Sequence, residues 1–319
     1  MLVRVLHHGH CFDGAASAAF FSRFVETAFH PRAEFRFTGM IHQPRQTLPD
    51  ELFDGDQNAI VDFKYSSHPR LDWWFDHHQS AFLTPEDAAH FARDRSGKKL
   101  YDPTYRSCTK FISSIARERF GFTAPDLDEL VKWADIVDGA LYEDAKTAVE
   151  MPAPAMKLTL VIENAKGPDA VRNIIGWMRE LSLAQIVELP EVQQLFQPIY
   201  QEHLASVDMI RERAHQDDGV VSFDLTGYDI GGYNKFIPYY LFPASSYTVS
   251  LLSTPLRTKI SVGSNPWAPK EIRHNLATIC ERYGGGGHSK VGAISLDPGA
   301  IDKARQVAGE IAVLLKDET

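Results

Sequence analysis

The chain is short of cysteine, of long apolar runs and of positive charge, and each shortage removes a class of protein. Three cysteines in 319 residues, Cys11, Cys108 and Cys280, are an odd and sparse set that does not read as a disulfide framework. A reducing, cytoplasmic compartment is the expectation. No stretch approaches the roughly 20 consecutive apolar residues of a membrane-spanning helix, so no membrane partner is expected. The opening residues 1–8 turn polar too soon for a signal peptide. Lys and Arg number 33 against 42 Asp and Glu, a net charge of −9. Proteins that grip long nucleic acid neutralise many phosphates with a basic surface. The acidic balance therefore tilts away from a processive enzyme on long DNA and towards a compact anionic substrate held by metal ions.

What is present is a globular composition, 44% hydrophobic and 24% charged, with core enough for two domains. Leu2–Leu6 reads as a buried strand that leads through a Gly-containing turn into an Ala-rich helix, the opening unit of an α/β fold. Residues 33–38, 59–62 and 71–75 read as further strands. From Ser107 to Leu189 the apolar spacing is helical, and Glu191–His215 reads as one long helix interrupted or kinked at Pro198. Beyond Gly219 short strands alternate with helices over Ile272–Tyr283 and Ile301–Leu315. The expectation is an N-terminal parallel-sheet α/β domain (1–190), a helical linker (191–218) and a smaller C-terminal α/β domain (219–319).

Three strand-like segments of the first half run into metal-capable side chains: Asp13 after the first, Asp62 ending the third, and Asp76-His77-His78 after the fourth. In an open parallel sheet the carboxyl ends of the strands share one edge, where ligands bind. Oxygen and imidazole donors without thiolate pairs suit Mn²⁺ or Mg²⁺, with Co²⁺ as a substitute. Taken singly, an Asp after a strand is usually a turn former or helix cap. Their joint occurrence at three strand ends is hard to reconcile with that reading.

In these segments the sequence resembles the DHH phosphoesterase superfamily. Asp13-Gly14 with Ser17-Ala18 looks like its first motif, Val61-Asp62 its second, Asp76-His77-His78 its third and Ala134-Asp135-Ile136-Val137 its fourth. Gly285-Gly286-Gly287-His288 with Val291-Gly292-Ala293 looks like the signature of the associated C-terminal substrate-binding domain. The resemblance implies that Asp62 bridges two Mn²⁺ ions, with Asp13, His77 and Asp135 on one of them. Asp138, three residues on, competes with Asp135. His8 would serve the other ion, with His7 and His10 as competitors. Asp76 would bind or orient within the cluster, and His77 and His78 would act catalytically, His78 beside the substrate phosphate. Many relatives carry an Asp two residues before the Asp-Gly pair, where this chain has Cys11; His8 or His10 compensates, or Cys11 ligates a softer ion, or that site binds weakly, and for Cys11 itself a buried, inert role is favoured.

In the C-terminal half, Gly285, Gly286, Gly287 and His288 are the expected substrate contacts, with Ser264 and Asn265 on a neighbouring strand. Gly263 stands where relatives often place an arginine. Consecutive glycines let backbone N–H groups line an anion-binding concavity. Of Trp73 and Trp74, at least one belongs to the core. The function implied is hydrolysis of phosphodiesters in a small nucleotide or short single-stranded oligonucleotide, including linear or cyclic dinucleotides, with substrate between the two domains. The rivals are a manganese-type pyrophosphatase or polyphosphatase and a catalytically weakened nucleotide sensor. A homodimer is admissible without sequence support.

Overall fold

A computed structural model describes residues 1–43, 46 and 48–316. Contacts divide the chain into two compact units, residues 1–142 with 152–199, and residues 143–151 with 200–319. The chain crosses between them three times, and the last crossing lies within the helix Pro190–Arg213, next to Pro198. Residues 143–151 fall in the second unit. No helix among the described residues is long and apolar enough to cross a membrane.

The first unit is built on five parallel strands: β1 (Leu2–His8), β2 (Glu34–Met40), β3 (Gln57–Val61), β4 (Trp73–Asp76) and β5 (Lys99–Tyr101), in the order β2-β1-β3-β4-β5. The last of these, three residues long, carries no alternation and escapes a sequence reading. Helices α1 (Phe12–Ala28), α3 (Cys108–Phe120) and α4 (Asp128–Asp138) pack on one another, with α3 against β4. The other face is covered by α2 (Pro85–Arg93) and the loop around Phe63 and Tyr65. Because strand side chains alternate, β4 sends Trp73 and Phe75 to the α1 side, where Trp73 meets Phe21 and Phe24. It sends Trp74 to the other side, against Tyr65 and Phe91. Both tryptophans are fully buried, so neither is a stacking surface.

The strand order reverses direction between β1 and β3. A parallel sheet opens a ligand crevice at the carboxyl ends of the strands that flank such a switch point. Gly14 lets α1 settle there: a Cβ at this position would stand 2.1 Å from the His8 carbonyl oxygen. Four further helices complete the chain to the end of its helical half: α5 (Ala145–Glu150), α6 (Pro154–Asn164), α7 (Pro168–Met178) and α8 (Leu183–Val187). Of these, α5 belongs to the second unit. The helix Pro190–Arg213 is α9.

The second unit holds a six-stranded mixed sheet, from β6 (His215–Asp217), β7 (Val220–Asp224), β8 (Tyr247–Thr254), β9 (Arg257–Ser264), β10 (Gly286–His288) and β11 (Val291–Leu296). Its order is β10-β11-β9-β8-β7-β6, antiparallel except between β7 and β8. Val249, Leu251, Ile260, Val262 and Ile294 form one core face with α11 (Leu276–Glu281) and α12 (Ile301–Lys316). The opposite face bears Thr248 and Ser250, hydrogen-bonded to Tyr239 and Tyr233. Tyr239 lies on α10 (Ile237–Leu241). The α11 helix starts at Leu276 rather than Ile272 because Asn275 caps it, its side chain accepting the Thr278 N–H.

Candidate metal centre

The carboxyl ends of β1, β3 and β4 bring His8, Cys11, Asp13, Asp62, His77 and His78 together, and α4 adds Asp138. Asp13 lies in the first turn of α1 and is wholly buried. Its Oδ2 accepts the Cys108 N–H at 2.6 Å; its Oδ1 accepts the Thr109 N–H at 3.0 Å and the Thr109 hydroxyl at 2.6 Å. These donors open α3, where unpaired N–H groups and the helix dipole favour an anion.

Asp62 follows β3 with φ +57°, a backbone region in which a non-glycine residue is strained. Its N–H donates to the Phe75 carbonyl, which fixes it beside the end of β4. Its side chain is buried, and neither carboxylate oxygen has a hydrogen-bond partner. Oδ2 lies 3.5 Å from His8 Nδ1 and Oδ1 lies 3.3 Å from His77 Nε2. The His77 ring donates from Nδ1 to the Tyr105 carbonyl at 3.0 Å, which assigns the Nε2 lone pair to the cluster. That atom stands 3.5 Å from Asp138 Oδ2 and 3.8 Å from Asp13 Oδ2.

Asp76 contacts both histidines that follow it. Its Oδ1 accepts both the His77 and His78 backbone N–H groups and His78 Nδ1–H at 2.7 Å, while its Oδ2 is buried without a partner. Of the two acids on α4, Asp138 joins the cluster, and Asp135, the one favoured from sequence, instead accepts the Ser107 hydroxyl at 3.2 Å. The two are one helical turn apart, and only the later reaches His77. Among the histidines near β1, His8 meets Asp62, His7 is buried with Nδ1 on the His8 carbonyl, and His10 is exposed.

The charges are mutually frustrated. Burial, then Asp62 and Asp138, push Asp13 well above the usual carboxylate range, and burial with Asp62 pushes Asp138 to about 6. Burial works against Asp62 too, but the neighbouring imidazoles of His77 and His8 outweigh it and hold that group low. His77 is held up to about 10 because Asp62, Asp13 and Asp138 overcome its burial. His78 is raised, first by its bond to Asp76. Cys11 is pushed well up by burial and by Asp62, Asp13 and Asp138. Buried carboxylate oxygens and imidazole nitrogens without partners, crowded around one bridging acid, fit divalent cations: cations supply the positive charge and the partners that these atoms lack. Three groups of ligand-capable atoms lie close together: His8 with Cys11 and Asp62, Asp62 with His77 and His78, and Asp13 with His77 and Asp138.

His42, just beyond β2, was not legible from sequence. Its ring stacks on Phe63 at 4.5 Å and lies 4.7 Å from His8; burial, then His8, lower it to about 4. No motif marks it, and only its place after a strand end could have drawn attention to it. The Cys108 and Thr109 donors and the Tyr105 carbonyl were likewise missed, because backbone groups leave no signature in residue type.

The expected substrate residues lie in the second unit. The glycine tract forms the edge strand β10 rather than an open loop, paired to β11. Side chains are excluded at Gly285 and Gly287, where a Cβ would meet the Ala293 and Val291 carbonyl oxygens at 2.3 and 2.2 Å. Gly286 has open space, and His288 is exposed. Ser264 and Asn265 turn inward: Ser264 donates to the Lys290 carbonyl, and Asn265 donates to Ser245 and accepts from Trp267. Gly263 cannot carry a larger residue without movement, since its Cβ would stand 2.6 Å from the Tyr239 hydroxyl.

No described protein family and no curated protein matches the sequence. Solved structures do. The chain is similar to PggH, a pGpG-specific phosphodiesterase from Vibrio cholerae, at 16% identity and TM-score 0.71, covering 98% of this chain and 99% of that one. It is also similar to a DHH domain of a protein described as a member of the s1p family of ribosomal proteins (14%, TM-score 0.61, 98% and 87%). RecJ of Thermus thermophilus, in complex with Mn²⁺, matches at 13% and TM-score 0.51, over 98% of this chain and 52% of that one, about half its length. The chain shares the fold of these two structures along nearly its whole length.

Proposed function

We propose that the protein is a metal-dependent phosphodiesterase acting on short oligonucleotides or linear or cyclic dinucleotides. The observation that carries this reading is Asp62: a strained, buried carboxylate with two unpartnered oxygens, one facing His8 and the other His77. A bridging acid between two donor sets is the arrangement a two-ion phosphoryl-transfer site needs. Asp13, Asp138 and His77 would hold one ion, His8 the other, and Asp62 both. Such ions polarise phosphoryl oxygens and lower the pKa of an attacking water.

The chain's own groups do the rest. Asp76 holds His78 by its Nδ1–H and favours the charged imidazolium, so His78 can donate a hydrogen bond to a phosphoryl oxygen or a proton to the leaving oxygen. The Thr109 and Cys108 donors keep Asp13 fixed, and Tyr105 keeps Nε2 of His77 free. In the second unit Gly286 and His288 are the contacts open to a nucleotide, and Ser264 and Asn265 shape the strand end beside them. The likeness to a pGpG-specific enzyme along the whole chain supports a linear dinucleotide as the first substrate to test. RecJ complexes with Mn²⁺ and with Mg²⁺ support Mn²⁺ as the ion, with Mg²⁺ as the substitute. Three free cysteines fit a reducing cytoplasm.

The test is hydrolysis of a linear dinucleotide, a cyclic dinucleotide, bis-(p-nitrophenyl) phosphate and pyrophosphate with Mn²⁺, wild type beside Asp62→Ala and His77→Ala. Diester cleavage that falls at least about a hundredfold in both variants is the expected result. Cleavage of pyrophosphate alone would replace the reading with an anhydride hydrolase. Nucleotide binding without turnover would replace it with a sensor.

A further inference from the structure

We propose that Cys11 is a metal ligand, so that the two ion positions differ in kind: one built from hard oxygen donors, the other a His8–Cys11–Asp62 site that prefers a softer ion. The inference rests on the metal-centre reading and goes beyond it, to the chemistry of one position. The sulfur of Cys11, a nitrogen of His8 and an oxygen of Asp62 lie within 4.8 Å of one another, close enough to share one cation. The second observation is independent of the cysteine. Asp62 is fully buried with both oxygens unpartnered, and His8 Nδ1 is buried and unpartnered as well. Two of the three donors therefore already lack a ligand on the side that Cys11 occupies.

The other position has a different character. Asp13 and Asp138 offer oxygens there and His77 the one nitrogen, with Asp62 Oδ1 3.3 Å from that nitrogen, a set suited to Mn²⁺ or Mg²⁺. Replacing an oxygen donor by a thiolate moves selectivity towards Zn²⁺ and Co²⁺. A thiolate in this setting needs a cation beside it, because the surrounding carboxylates oppose a second negative charge. Binding is therefore an exchange: the sulfur–metal bond forms as the S–H bond breaks, and one proton leaves to solvent for each ion bound at that position. No electron is transferred. Cys280 is buried in the core of the second unit, which makes it an internal control; Cys108, whose N–H donates to Asp13, stands outside the grouped ligand atoms.

The experiment is a Co²⁺ titration of the full chain, with bound metal counted by elemental analysis and absorbance followed from the near ultraviolet to the visible. The expected result is two ions per chain and a thiolate-to-cobalt charge-transfer band that grows with one of them. In Cys11→Ser the band disappears and that ion binds at least about tenfold more weakly. In Cys11→Asp the band is absent and the site shifts its preference from Co²⁺ towards Mn²⁺. Two bound ions without a thiolate band would overturn the assignment of Cys11 and leave the metal centre standing. A chain that binds no ion at all would overturn both.

Discussion

Thr109 offers the sharpest test of how the site is held, because its hydroxyl joins a chain of buried hydrogen bonds that ends on a candidate metal ligand. The hydroxyl donates to Asp13 Oδ1 at 2.6 Å, and the Ser17 hydroxyl, 3.0 Å away, is then the donor to Thr109. Thr109→Val keeps the shape and removes the donor. A hydrogen bond to a charged group contributes about 1.5–3 kcal/mol, and one between neutral groups about 0.5–1.5 kcal/mol. Burial and the neighbouring acids push Asp13 towards its protonated form in the metal-free chain, whereas a bound cation requires it charged. The variant therefore loses more stability when loaded than when empty, by about 1–1.5 kcal/mol. Through linkage that difference is a roughly tenfold loss of metal affinity. Calorimetric titration with Mn²⁺, beside thermal melts with and without the ion, reads both quantities. Ser17→Ala should show a smaller loss, nearly equal in the two states. A folded Thr109→Val that binds Mn²⁺ within about twofold of wild type would refute the reasoning.

Four further outcomes follow from the geometry. Asp138→Ala should lower Mn²⁺ affinity by at least about tenfold, whereas Asp135→Ala should cost about 1 kcal/mol of stability through Ser107 and leave affinity unchanged; calorimetric titration of both separates them. His7 is buried and held down to about 4, so above pH 6.5 it is neutral in both states; as pH falls through this window only the unfolded chain takes up the proton. The stability of wild type relative to His7→Gln should therefore fall by about 2 kcal/mol between pH 7.5 and 5, as read by urea unfolding of both chains at the two pH values. Gly14→Ala should destabilise by more than about 2 kcal/mol, because its Cβ meets backbone and not a movable side chain, with the melting temperature as the readout. Gly263→Arg should lower the melting temperature through its clash with Tyr239, and Tyr239→Ala in the same chain should restore part of it.

The sequence carries the first sheet well because its strands are buried on both faces and end on acids, so β1, β3 and β4 announce themselves by apolar runs and by Asp13, Asp62 and Asp76. It carries β5 and β6 badly because three-residue edge strands are defined by what they pair with. The choice between Asp135 and Asp138 could not be made from residue type, since both share a helical stretch and differ only by one turn. The glycine tract shows the same limit in another form. Four glycines suggested an anion-binding concavity, and that two of them also permit the close approach of the tract to β11 is a contact that no local pattern records. His42 reaches the cluster through the direction its segment takes after β2, which is a property of the fold alone.

The frustration of the centre is itself an argument for what it does. A structure selected for stability alone would not leave Asp62 in a left-handed conformation, buried, with both oxygens unpaired. Nor would it turn the N-terminus of α3 onto one acid while two others crowd the same imidazole. Each feature costs stability in the empty chain, and each becomes favourable when positive charge enters between the acids. Loading with Mn²⁺ should therefore raise the melting temperature of wild type far more than that of Asp62→Asn, in which the unpaired charge is gone and the bridge with it. By linkage, an ion present at about 100 times its dissociation constant adds about 2.7 kcal/mol. An Asp62→Asn chain stabilised by Mn²⁺ as strongly as wild type would mean that the bridging position is not where the ions bind.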